Sequence, residues 1–98
     1  MQQPQLVYLK GTVVPGLFTN ERIFTVRIGS QTVSIYADRQ DVFEEGAGSL
    51  EKRGEGPASL RVYALGEEGG RVRVLLRQEA GTGERTLLVG SHQVEYGK

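Results

Sequence analysis

The sequence predicts an all-β chain, a small six-stranded antiparallel meander that closes into a barrel or packs as two sheets. Three observations predict it. The stretch Glu21–Asp38, ERIFTVRIGSQTVSIYAD, alternates apolar and polar residues in two arms about Gly29-Ser30, which is the pattern of a half-buried hairpin. The second half holds three further alternating arms. Glycine-bearing turns separate the arms, and no long stretch shows the 3.6-residue period of a helix.

The first strand is expected over about residues 6–14, LVYLKGTVV, with Val7, Leu9 and Val13 on one face and Tyr8, Lys10 and Thr12 on the other. Gly11 interrupts this alternation and marks a bulge or bend, a device that curves small barrels. Pro15-Gly16 then turns the chain. Leu17-Phe18, an apolar pair in a loop, is expected to plug one end of the core.

Strands at 21–28 and 31–37 follow, joined by a glycine-first pair suited to a type II′ turn. That turn pairs Val26 with Val33 and Phe24 with Ile35 on one face. It pairs Thr25 with Ser34 and Arg27 with Thr32 on the other. The next stretch, DRQDVFEEG, allows at most one short helix near 38–45, with Asp38 as its N-cap. Residues 46–57, GAGSLEKRGEGP, form a glycine-rich loop long enough to connect two halves of a barrel.

Strands at about 58–65 and 71–79 are expected to flank the loop GEEGG. Setting Leu65 against Arg71 pairs Leu60 with Leu76, Val62 with Val74 and Ala64 with Val72. The turn AGTGE leads to a last strand over about 85–96, and pairing Glu79 with Arg85 sets Leu76 against Leu88. His92 then shares the face of Leu88 and Val94, opposite Val72. Two three-strand units, 6–37 and 58–96, result, without a residue-level match between them. SH3-like and OB-like closures both satisfy this pattern.

Composition narrows the chemistry. With 98 residues the chain is expected to be a single β-barrel-like domain, 1–98. Lys and Arg together number 12, balanced by 12 Asp and Glu, so no overall charge favours nucleic acid or an anionic membrane. The chain has no cysteine, which excludes disulfides and thiolate chemistry. It has one histidine, His92. The opening MQQPQ lacks the basic and apolar regions of a signal peptide and no long apolar run follows, so the expected location is cytoplasmic.

Candidate sites lie on the outer face of the second half. Arg61, Tyr63, Arg71, Arg73 and Arg77 interleave guanidinium groups with an aromatic ring, as single-stranded nucleic-acid binders do. The neutral reading is a solvated face whose arginines are balanced by acids. Leu75, Leu87 and Val89 are expected on the same outer side, an apolar cluster suited to a homo-oligomer or protein interface. Asp38 and Asp41 lack the glycine and oxygen spacing of a calcium loop, and Ser91 and His92, adjacent on a strand, point apart. No catalytic, metal or cofactor residue is therefore assigned. The function expected is a non-catalytic binding module that self-associates or docks on a protein. The alternative is weak single-stranded nucleic-acid binding.

Overall fold

The backbone of the computed structural model, described for residues 4–18, 20–46 and 50–96, follows the alternation of the sequence. Strands β1 (Gln5–Pro15), β2 (Glu21–Ile28) and β3 (Gln31–Asp38) are followed by a short β4 (Val42–Glu44) and a one-turn helix α1 (Leu50–Arg53). Strands β5 (Gly56–Glu68), β6 (Arg71–Leu75), β7 (Thr86–Gly90) and β8 (Val94–Tyr96) complete the chain. Six strands form one antiparallel, curled half-barrel sheet in the order β3-β2-β1-β5-β6-β7, with β4 on β5 and β8 on β1.

The two long strands are the spine. β1 pairs with β5 from Gln5 through Val13. Its other edge is shared: β8 takes Val7–Leu9 and β2 takes Thr12–Pro15. The strand changes partner around Gly11, where the sequence predicts a bend. Glycine is required there by close approach, because a Cβ would lie 2.3 Å from the Thr25 carbonyl oxygen and 2.6 Å from the Phe24 ring. Gly11→Ala is expected to destabilise the fold by about 1–3 kcal/mol through overpacking, measured as a lowered urea midpoint with unchanged slope.

The halves are built alike although their residues do not match. Each consists of three antiparallel strands, a 3₁₀ turn and a short final strand: β1-β2-β3, Arg39–Asp41, β4, and then β5-β6-β7, Ser91–Gln93, β8. The two corners superpose in backbone angles, with φ −70° and ψ 139° at Asp38 against φ −68° and ψ 145° at Gly90. Each final strand crosses to the first strand of the other half. Leu9 pairs with Leu60 near the middle of the β1-β5 ladder, so the halves are related by an approximate internal twofold. A plain duplication of the strand pattern, rather than of side chains, is what the core requires.

The first hairpin has the expected register, including Val26 with Val33 and Phe24 with Ile35. Gly29 has φ +62° and Ser30 stays out of the left-handed region, as a type II′ turn demands. The short helix expected near 38–45 is a single 3₁₀ turn capped by Asp38, which gives way to β4 because Val42 and the backbone beside it pair with β5 at Leu60. The one α-helical turn among the described residues lies in the glycine-rich loop, where Leu50 is fully buried. Residues 47–49 of that loop lie outside the described residues.

In the second half two registers move. β5 runs to Glu68 and turns through Gly69-Gly70, so Ala64 opposes Val74 and not Val72. A bulge at Leu65 takes up the difference and keeps Val62, Val72 and Val74 inside. The β6-β7 connection has the larger consequence. Its turn is where the sequence places it, with Ala80 N–H donating to the Glu84 carbonyl. Residues Arg77–Glu79, however, leave the hairpin, and pairing resumes as Leu76 N–H to the Arg85 carbonyl. Three extra residues on one arm reverse the parity of the other. Leu87 and Val89 therefore point into the core, 5% and 0% exposed, and Leu88 faces outward across from Arg73.

The core joins both halves: Val7, Leu9, Phe24, Ile35, Leu60, Val74 and Val89 lie in one cluster with Leu50 beneath them. The excursion at 77–79 has its own anchor. Ala80 bridges Ile35 of β3, and Gly81 N–H donates to the Ser34 carbonyl at 2.7 Å.

Candidate functional site

β4 and the 3₁₀ turn before it carry side chains to the outer surface of β5. Asp41, at the end of that turn, is 7% exposed. Its Oδ1 accepts from Arg61 Nε at 3.3 Å, and its Oδ2 forms an ion pair with Arg77, 3.2 Å from Nε. Arg61 also donates to the Gln40 carbonyl at 2.9 Å, and Arg77 to the Tyr63 hydroxyl at 3.3 Å. The Arg61 guanidinium lies 5.7 Å from the Phe43 ring centroid, and Phe43 meets Tyr8 edge-on at 5.3 Å. One carboxylate thus meets two arginines, each of which makes one further hydrogen bond, to a carbonyl or a hydroxyl.

Of the five residues with a nucleic-acid-like pattern, the structure brings together Arg61, Tyr63 and Arg77. Arg73 lies apart on β6 and pairs with Glu68 at 3.6 Å across exposed side chains, a contact worth under about 1 kcal/mol. Arg71 is exposed and has no ion pair among the described residues. Three of the four arginines therefore already face a carboxylate of their own chain.

The apolar trio separates. Leu75 lies half-buried on the outer face between Tyr63 and Thr86. Leu87 and Val89 are core residues, so the outer cluster expected for them does not form; the parity change at 77–79 is the cause. Leu17 and Phe18 move the opposite way. Rather than plugging the core they are 90% and 72% exposed. Their loop is nonetheless pinned: Gly16 N–H donates to the Glu21 carbonyl, Glu21 N–H to the Phe18 carbonyl, and Leu17 N–H to Glu21 Oε1 at 2.9 Å.

Two grooves occupy equivalent places on the internal twofold. The first, with a volume of about 270 Å³, is lined by Phe18, Glu21, Tyr36 and Asp38 among others and, among the described residues, by no cationic side chain. The second, about 500 Å³, is lined by Ile28, Arg71, Leu88 and His92 among others and, among the described residues, by no carboxylate. Tyr36 and Leu88 each stand two residues before the corner residue, Asp38 in the first half and Gly90 in the second. His92 is exposed on the second 3₁₀ turn, off the strand face on which alternation alone places it.

The sequence offers Asp41 only as a rejected calcium-loop candidate and pairs neither Asp41 with Arg61 and Arg77 nor Arg22 with Glu44. The fully buried Arg22 guanidinium meets Glu44 at 2.8 Å, tying β2 to β4. Reading Val42-Phe43-Glu44 as a strand would have placed Phe43 and Glu44, since alternation sends Val42 and Glu44 to one face and Phe43 to the other. Asp38 is engaged as a cap, its Oδ1 accepting from Gln40 N–H at 3.0 Å. Among the described residues no three His, Cys, Asp or Glu side chains group as metal ligands. At the end of β8, burial first and the neighbouring Glu67 carboxylate second raise the Tyr96 phenol above its ordinary pKa.

No family model, curated protein or solved structure significantly matches this chain. No helix among the described residues is long and apolar enough to cross a membrane.

Proposed function

We propose that this chain is a non-catalytic interaction module that docks on protein through the apolar edge of Leu17, Phe18 and Tyr36. The observation that carries this reading is the loop at 16–21. Three hydrogen bonds hold a leucine and a phenylalanine in water, beside the half-exposed Tyr36. A mobile loop would fold such side chains against the nearest apolar surface. A pinned loop that presents them has already met the ordering cost of association, which is the property of interface anchors.

The nucleic-acid alternative has less support. Its strongest pair of arginines is held by Asp41 and its third by Glu68, leaving Arg71 as the cation with most freedom to meet phosphate. Counterion release needs several such cations.

The test compares the immobilised wild-type chain with a Leu17→Ser, Phe18→Ser double variant as bait for proteins from the source cell. Both positions are exposed, so the variant keeps the wild-type circular dichroism and urea midpoint to within about 0.5 kcal/mol. The expected result is a retained protein that the variant loses by about tenfold or more. The same proteins on both baits would overturn the reading.

A further inference from the structure

We infer that copies of this chain associate head to tail, the Phe18 loop of one copy entering the groove beside Arg71 and His92 of the next. The inference rests on the docking reading above and names the partner as a second copy.

Charge and shape carry it. The internal twofold places one groove at each corner, but the side chains around them have diverged in opposite senses. At the first corner an exposed phenylalanine projects from a rim bearing Glu21 and Asp38, without a cation. At the second corner no aromatic ring projects. The half-buried Ile28 and Leu88 floor an open groove, and Arg71 and His92 are its charged or chargeable groups, without a carboxylate. An apolar knob beside two acids and an apolar hollow beside Arg71 are complementary to one another and not to themselves. Knob against knob sets carboxylates together; hollow against hollow sets cations together.

Such a contact is heterologous, because the two surfaces belong to different corners of the chain. It follows that each copy has one of each, and that disabling either surface on a given copy leaves the other usable. Arg71 is available for the role since no ion pair engages it among the described residues, whereas Arg61 and Arg77 are consumed by Asp41.

Sedimentation velocity and light scattering across a wide concentration range test the inference, using the full chain and two variants, Phe18→Asp and Arg71→Glu. Circular dichroism and urea midpoints matching wild type establish that both variants are folded. The expected result is a mass that rises with concentration for wild type, less so at high salt. Each variant alone weakens association by about tenfold or more. An equimolar mixture recovers heterodimers, because the Arg71→Glu copy still offers its knob and the Phe18→Asp copy its hollow. Wild type monomeric at every concentration would overturn the inference, while docking on a different protein would still be decided by the bait comparison. Loss of association in Phe18→Asp but not in Arg71→Glu would also overturn it, since that is knob against knob.

Discussion

Leu87→Glu is expected to leave the chain unfolded at room temperature. Leu87 is 5% exposed and stands directly across from Val74, itself fully buried. The new carboxylate would sit among Val72, Val74 and Val89. Burying an unpaired charge among aliphatic side chains costs more than about 4 kcal/mol. Net stability for a domain of this size is about 5–10 kcal/mol, so little or none survives. Two controls separate burial from general damage to β7. Leu87→Ala removes volume without charge and is expected to cost about 2–5 kcal/mol. Leu88→Glu, on the outward face, is expected to cost under about 1 kcal/mol. Urea denaturation followed by circular dichroism reads all three. If Leu88→Glu unfolded the chain and Leu87→Glu did not, β7 would have the facing that simple alternation from the AGTGE turn implies, and the excursion of Arg77–Glu79 would be wrong.

Glu44→Ala is the second large effect, at about 3 kcal/mol of lost stability. Arg22 lies on the inward side of β2 with a side chain 1% exposed, and its Nε reaches Glu44 at 2.8 Å while Nη1 donates to the Glu21 carbonyl. A charge so deeply placed depends on the ionic contacts around it. Removing the carboxylate takes away the acceptor that Nε reaches at 2.8 Å and leaves the buried charge with one ionic contact fewer. Glu44→Gln retains an acceptor and is expected to lose about half as much. Replacing both partners, Arg22→Met with Glu44→Met, removes charge and counterion together and is expected to recover most of the loss. A double variant no more stable than Glu44→Ala would show that the other contacts of Arg22, and not its ion pair with Glu44, decide its contribution. The pair also explains why β4 exists: three residues of strand have few backbone bonds, and a buried salt bridge from β2 adds a tie between elements far apart in sequence.

The two predictions lie on opposite sides of what was legible. The first hairpin could be read to the residue, including the outer pair Thr25 and Ser34, because a two-residue turn leaves one register open and alternation in both arms agrees with it. Gly11 as a bend was legible for the same local reason. Leu87 and Val89 were not, since their facing depends on how many residues the chain spends between Leu76 and Arg85. That number is set by distant partners: Ala80 reaches Ile35, and Arg77 reaches Asp41. Neither contact leaves a trace in the local pattern. The Asp41 cluster was hidden likewise, as its members come from the 3₁₀ turn, β5 and the β6-β7 connection.

By itself, then, the sequence determined the strand class, the glycine turns, the inner face of the first hairpin and the exclusion of thiol chemistry. Each follows from short-range sterics, from a period of two, or from a residue that is absent. Only the tertiary structure decided which leucines of β7 are core, which arginines are neutralised and which apolar side chains reach water. The physical reason is that strand parity carries over faithfully through a tight turn. Across a longer connection it is set by whatever that connection packs against.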